Sequence, residues 1–219
     1  MDSRAVWQHI DHERSWIADF LESLPRVGWE QHSLCQGWSV RDVGAHLTFS
    51  HARLRDVAWP AARTGLRYNA MIKYSALHSP LTHAEIVAKL RGFVGSRRKA
   101  PFVTELEPLL DILVHTQDIC LPLGVEHPMP VDAAVAVADR VLSLRGPMRL
   151  WKPPRGVRLV ATDADWVYGD GPVVQAPMQS HLLTITGRQA CSPEATTASQ
   201  EPGPPRLRPS HIDSRHLEG

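Results

Sequence analysis

Residues 107–124 read EPLLDILVHTQDICLPLG, an apolar run that predicts a core helix of a bundle over about 104–120. Asp111, His115 and Asp118 lie inside this run, four and then three residues apart. At 3.6 residues per turn, these three groups fall within a stripe roughly 60° wide on one side of the helix. Such a stripe is either the solvent-facing edge of an ordinary helix or part of a site.

The first two groups of the stripe are four residues apart, so their side chains are neighbours on the helix surface. Asp111 and His115 therefore supply either two arms of a metal site or a solvent-facing ion pair. Asp118 also has two interpretations. It accepts a hydrogen bond from a ligand histidine and so orients it, or it caps or salt-bridges the end of the helix.

A second helix is predicted from GWSVRDVGAHLTFSHARL, residues 37–54, and it extends to about Val57. Ser39 and Asp42 have the spacing of a capping box at its start. On this helix His46 lies on the apolar face, whereas His51 projects to the opposite side. A lone inward histidine is more often a hydrogen-bonded core residue than a ligand.

Together with the stripe, this inward histidine predicts a metal centre. His46, Asp111 and His115 would supply two imidazoles and one carboxylate and would leave at least one coordination position open. Facing helices of a bundle often hold such a site because they fix the ligand geometry. This ligand set suits zinc, and also non-haem iron(II) or nickel.

The rest of the chain predicts a mainly helical fold followed by a small α/β segment. Further helical patterns cover residues 3–24, 82–94 and 131–144, with no clear pattern over 60–80. Thr82 and Glu85 have the spacing of a capping box at the start of the second of these helices. Beyond residue 151, GVRLVATD, DWVYG and PVVQA are typical of strands, and MQSHLLTITGR predicts a short helix. The expected division is a metal-binding helical bundle at 1–148, a small α/β domain at 149–190 and a disordered tail at 191–219.

Composition excludes several classes of function. The net charge is +1, and the longest basic cluster, residues 97–99, is too short to indicate nucleic-acid binding. No run approaches the roughly 18 apolar residues that a membrane helix requires. The three cysteines, Cys35, Cys120 and Cys191, lie far apart, which argues against a disulfide framework and favours the cytoplasm. Cys35 is predicted to be a structural loop cysteine, with no inward histidine beside it.

Two segments resemble a known family. GWSVRDVGAHL at 37–47 and PLLDILVHTQDICLPLG at 108–124 are similar to the signature segments of the mycothiol-dependent maleylpyruvate isomerase family, which has the DinB-like four-helix bundle. SLCQGW at 33–38 resembles the lead-in to the first signature. GPVVQAPMQSHLLTITGR at 171–188 resembles the family's small C-terminal domain, akin to sterol-carrier proteins, and lacks its usual continuation. The resemblance covers about residues 5–190.

The resemblance implies a site and a chemistry. By position the metal ligands fall on His46, Asp111 and His115, and Asp111 stands where the family pattern has Glu. The implied function is a metal-dependent isomerase or S-transferase, with zinc as cofactor and mycothiol as co-substrate. In it, a metal-bound thiolate attacks an electrophilic small molecule. The alternatives are a non-catalytic metal-binding stress-response protein of the same fold and a metal-dependent hydrolase.

Overall fold

The N-terminal apolar stripe folds into α1 (Ser3–Ser23), close to the predicted bounds. The Asp2 carboxylate accepts a hydrogen bond from the Ala5 backbone N–H and caps the first turn. The computed structural model describes residues 1–51, 62–65, 67–99, 103–144 and 154–188. Within these residues, no helix combines the length and the apolar character needed to cross a membrane.

Two capping boxes start helices where the sequence predicts them. Ser39 and Asp42 exchange side-chain and backbone hydrogen bonds at the start of α3 (Val40–Leu47). Thr82 and Glu85 do the same at the start of α5 (His83–Gly92). These reciprocal bonds satisfy backbone donors that have no partner within the helix.

The connections between these helices differ in part from the prediction. A short helix, α2 (Arg26–Trp29), precedes α3, and α3 continues as a 3₁₀ turn at Thr48–His51. The predicted extension to Val57 lies outside the described residues. Helix α4 (Tyr68–Leu77) falls in the region without a clear pattern. Its apolar residues do not concentrate on one face, so periodicity could not identify it.

The helix predicted from the opening stretch is α6 (Leu106–Cys120), and it lies at the centre of the bundle. It packs against α1, α3 and α7 (Val131–Ser143). A 3₁₀ turn at Leu121–Leu123 follows α6 and ends at Gly124, whose φ of 67° is a left-handed conformation that favours glycine. The buried face of α6 therefore presents its polar stripe to the neighbouring helices.

A small α/β unit follows the bundle. Strands β1 (Arg158–Ala161), β2 (Val167–Tyr168) and β3 (Val173–Ala176) form a sheet in the order β2-β1-β3. β1 pairs antiparallel with β2 and parallel with β3. Helix α8 (Met178–Ile185) then packs against α7.

The mainly helical class with a small α/β unit is confirmed. The boundary predicted at 148/149 and the disordered tail predicted at 191–219 lie outside the described residues, so the division into domains stays a prediction.

Candidate metal centre

Helices α3 and α6 bring the three predicted ligands together. The Nε2 atom of His46 lies 3.3 Å from Oδ1 of Asp111, and Nε2 of His115 lies 3.4 Å from the same oxygen. All three ligand atoms lie within 4.8 Å of one another. Asp111 and His115 face the same way because they are one helical turn apart, and His46 reaches them because α3 packs on α6.

The donor set and its spacing fit a small divalent cation. Donors at the 2.0–2.1 Å bond lengths of zinc, in tetrahedral geometry, are about 3.3 Å from one another. The distances from Oδ1 of Asp111 to the two imidazole nitrogens match this spacing. Two imidazoles and a carboxylate are also the kinds of ligand that zinc takes in catalytic sites.

The charges of the cluster are strongly coupled. Burial acts to raise the pKa of Asp111, but His46 and His115 outweigh it and hold that pKa well below its ordinary value. Burial acts to lower the pKa of His115, but hydrogen bonds with Asp111 and Asp118 raise it well above its ordinary value. The lowered pKa of Asp111 thus keeps its carboxylate ionised, which is the form that binds a divalent cation.

The two imidazoles are held in different ways. His115 Nδ1 lies 2.8 Å from Oδ2 of Asp118, a fully buried carboxylate. Because an ionised carboxylate only accepts, Nδ1 carries the proton and Nε2 faces Asp111. His46 Nδ1 is buried and has no hydrogen-bond partner among the described residues, and the ring meets Trp38 edge-on, with 5.5 Å between the ring centroids. Packing, rather than a second hydrogen bond, therefore orients His46.

Asp118 is itself held by an arginine from the C-terminal unit. Arg188 Nη2 donates to Oδ2 at 2.7 Å, and Arg188 Nε donates to Oδ1 at 3.0 Å. Burial acts to raise the pKa of Asp118, but His115 and Arg188 hold it well below its ordinary value. This geometry contains both interpretations of Asp118, because its carboxylate accepts from His115 and also forms a salt bridge near the end of α6.

Sequence reasoning missed two members of this cluster. Arg188 closes the segment that resembles the family's C-terminal domain, and its position there was the only available signal. The expectation that Cys35 has no inward histidine beside it is wrong. Its Sγ lies 3.7 Å from Nδ1 of His115 and 3.1 Å from Oδ2 of Asp118. The loop folds back onto α6, which residue spacing along the chain cannot reveal.

The second histidine of the α3 region takes no part in the cluster. His51 Nε2 lies 3.3 Å from Nη2 of the buried Arg14, and its ring packs on Phe93 at 3.8 Å between centroids. Burial, Arg14 and Arg98 together lower the pKa of His51 to about 4. The sequence-based choice of His46 over His51 as the inward histidine agrees with this arrangement.

Comparisons with known proteins point to one family. Residues 10–102, fewer than half of the chain, match the model of the mycothiol maleylpyruvate isomerase N-terminal domain. The chain is also similar to a crystal structure of the mycothiol-dependent maleylpyruvate isomerase, with a TM-score of 0.58 and 16% identity over 86% of this chain and 90% of that one. A structure of a histidine-to-alanine mutant of that enzyme matches with a TM-score of 0.56, 16% identity and the same coverage. No curated protein matches the chain.

The fold and the cluster thus define a helical-bundle protein with a candidate metal centre, in the fold of the mycothiol-dependent maleylpyruvate isomerase. Residues 10–102 match the family model of the N-terminal domain of that enzyme, which confirms the resemblance found in the sequence. Of the three predicted ligands, only His46 lies within the matched residues. The ligand roles of Asp111 and His115 therefore rest on geometry.

Proposed function

We propose that this protein is a metal-dependent isomerase or S-transferase that uses mycothiol to attack an electrophilic small molecule. The observation that carries the proposal is the meeting of two imidazole nitrogens on one carboxylate oxygen, at 3.3 and 3.4 Å. The family match of residues 10–102 supports the choice of mycothiol as the thiol.

His46, Asp111 and His115 would hold the cation, with zinc as the first choice. A bound divalent cation would lower the pKa of a thiol, so that a thiolate nucleophile forms at neutral pH. The side chain of Asp111 is 34% exposed, against 12% for His46 and 13% for His115. Asp111 is therefore the most solvent-exposed of the three proposed ligands.

Neighbouring residues prepare these ligands for a cation. Asp118 keeps a proton on Nδ1 of His115, so Nε2 is the ring nitrogen that would bind the cation. Arg188 neutralises the buried charge of Asp118 and fixes both of its oxygens. The two described cysteines, Cys35 and Cys120, are free, which supports the proposed cytoplasmic setting.

The decisive experiment combines metal analysis with a thiol-dependent assay. We expect about one divalent ion per chain in the purified protein and its loss in His46→Ala. His127→Ala is the matched control, because His127 is another partly buried histidine paired with a carboxylate but lies outside the cluster. Unchanged metal content in His46→Ala would refute the site.

The assay separates the proposed function from its alternatives. We expect consumption of mycothiol, or turnover that requires it, with maleylpyruvate as the first electrophile, because the similar structures carry that name. Metal binding without thiol-dependent turnover across a panel of electrophiles would favour a binding protein. Turnover of ester or amide substrates without any thiol would favour a metal-dependent hydrolase.

A further inference from the structure

The loop at 33–38 is fastened to α6 at Asp118. The backbone N–H of Leu34 donates to the carbonyl oxygen of Asp118 at 3.0 Å. Within the loop, the Ser33 N–H donates to the Trp38 carbonyl at 3.0 Å, and the Cys35 N–H donates to Ser33 Oγ at 3.2 Å. The backbone therefore sets the location of the Cys35 side chain.

The thiol of Cys35 points at the carboxylate that orients His115. Its Sγ donates to Oδ2 of Asp118 at 3.1 Å. The same oxygen accepts from His115 Nδ1 at 2.8 Å and from Arg188 Nη2 at 2.7 Å. Three donors from three separate parts of the chain thus converge on one fully buried oxygen.

Cys35 lies on the far side of the His115 ring from the metal ligands. Its Sγ is near Nδ1, at 3.7 Å, whereas Nε2 is the atom that faces Asp111. A thiol behind the ring does not reach a ligand bound at the Nε2 side. The contacts of the Cys35 thiol with the proposed ligand set therefore run through Asp118 and His115.

We propose that Cys35 is a positioning residue of the metal centre, an inference that rests on the proposed function. Its S–H bond restrains Oδ2 of Asp118 in the orientation that accepts the Nδ1 proton of His115. A thiol is a weak donor, so it can restrain this oxygen without displacing the stronger bond from His115. Without the thiol donor, Asp118 and the His115 ring gain freedom to turn, and the ligand set is less well organised.

Substitutions at Cys35 separate the effect of its hydrogen-bond donor from the effect of its side-chain volume. Cys35→Ser keeps an O–H donor, Cys35→Val keeps apolar volume without a donor, and Cys35→Ala removes both. Cys120→Ala is the matched control, because Cys120 is a buried thiol on α6, the helix of Asp118, but lies outside the cluster. Burial raises the pKa of Cys120 to about 12. Thermal unfolding shows which variants fold. If Cys35→Val does not fold, Cys35→Ala is the donor-free variant that is compared with Cys35→Ser.

The first measurement is zinc affinity, determined by competition with a chromophoric chelator. We expect Cys35→Val and Cys35→Ala to bind zinc about tenfold more weakly than the wild type, at the low end of effects seen for groups that orient ligands. Cys35→Ser should stay within about threefold of the wild type, and so should Cys120→Ala. Equal losses in Cys35→Ser and Cys35→Val, or wild-type affinity in Cys35→Val and Cys35→Ala, would overturn the inference.

The second measurement does not depend on metal. In the metal-free protein, the NMR signal of the His115 Nδ1 proton reports its hydrogen bond to Asp118. We expect this proton to exchange with solvent faster in Cys35→Val and Cys35→Ala than in the wild type and Cys35→Ser. Unchanged exchange in both donor-free variants would overturn the role of Cys35. Absence of zinc binding by the wild type would instead overturn the proposed function, so the two failures are distinguishable.

Discussion

Among the described residues, two of the histidine–carboxylate assemblies differ in one geometric respect. Glu13 on α1 meets a single imidazole: its Oε2 lies 2.8 Å from Nε2 of His127, the distance of an ordinary hydrogen bond. Asp111 on α6 faces two imidazole nitrogens at 3.3 and 3.4 Å. The first arrangement shares a proton between two groups, whereas the second has the spacing of three donors around one cation.

The surroundings of the two assemblies reinforce this difference. Glu13 is 1% exposed, and the His127 ring stacks on Trp16 with 3.6 Å between centroids. The side chain of Gln117 bridges this pair to α8, since it donates to the His127 carbonyl and accepts from Gln179. The Glu13–His127 pair is therefore built into the packing, while the Asp111 carboxylate is partly open to solvent. We infer that convergence and access, rather than residue type, mark the candidate site.

The largest expected effect comes from removing the charge of Asp111. In Asp111→Asn the two imidazoles lose their shared carboxylate, and we expect zinc affinity to fall by more than about 100-fold. Asp111→Glu keeps the carboxylate and introduces the residue of the family pattern, so its zinc affinity should remain much closer to that of the wild type. Chelator competition measures both variants, and equal affinities for Asn and Glu would remove Asp111 from the ligand set.

A smaller loss is expected at the carboxylate that orients His115. Asp118→Asn replaces an ionised acceptor with an amide, which weakens the bond to Nδ1 of His115 and leaves Arg188 without its counter-ion. We expect zinc affinity to fall by about 10- to 100-fold. An affinity that matches the wild type in a folded Asp118→Asn protein would contradict the orienting role.

The Glu13–His127 pair should respond in stability rather than in metal binding. Glu13→Ala leaves the His127 Nε2 atom without its partner in a buried setting, and we expect the free energy of unfolding to fall by about 2 kcal/mol. Zinc affinity should stay within about twofold, because neither residue belongs to the cluster. Urea unfolding and chelator competition on the same preparation test both parts, and a large loss of zinc affinity would abolish the contrast between the assemblies.

The smallest effect concerns His51, whose folded-state pKa is about 4. The ordinary pKa of histidine is about 6.5, so between pH 6.5 and 4 the unfolded chain takes up a proton at His51 that the folded protein does not. His51 thus makes stability fall as pH drops through this window. Because the His51 side chain is partly exposed, we expect its titration to lower the free energy of unfolding by less than about 1 kcal/mol in total.

The test of this effect is a comparison of unfolding free energies at pH 4.5 and 7. His51→Gln should lose less stability on acidification than the wild type, since glutamine does not titrate. His12→Gln, at an exposed histidine of α1, is the control and should behave as the wild type does. Identical pH dependence in His51→Gln and the wild type would contradict the lowered pKa.

Local sequence signals determined much of the fold. The spacing of apolar residues predicted α1, α6 and α7, and the Ser39–Asp42 and Thr82–Glu85 pairs predicted two helix starts, because capping depends on residues three positions apart. The same periodicity put Asp111 and His115 on one face and turned His46 inward. The ligand roles of these three residues remain predictions, although the structure now defines the surroundings of each.

Only the tertiary structure decided what surrounds the stripe. Helical geometry specifies which residues of one helix share a face, but it does not say which loop or distant segment covers that face. Cys35 comes from a loop 83 residues before Asp118, and Arg188 comes from a segment 70 residues after it, yet both donate to its carboxylate. A buried charge requires partners, and beyond His115 on the same helix the chain supplies those of Asp118 by folding remote segments together.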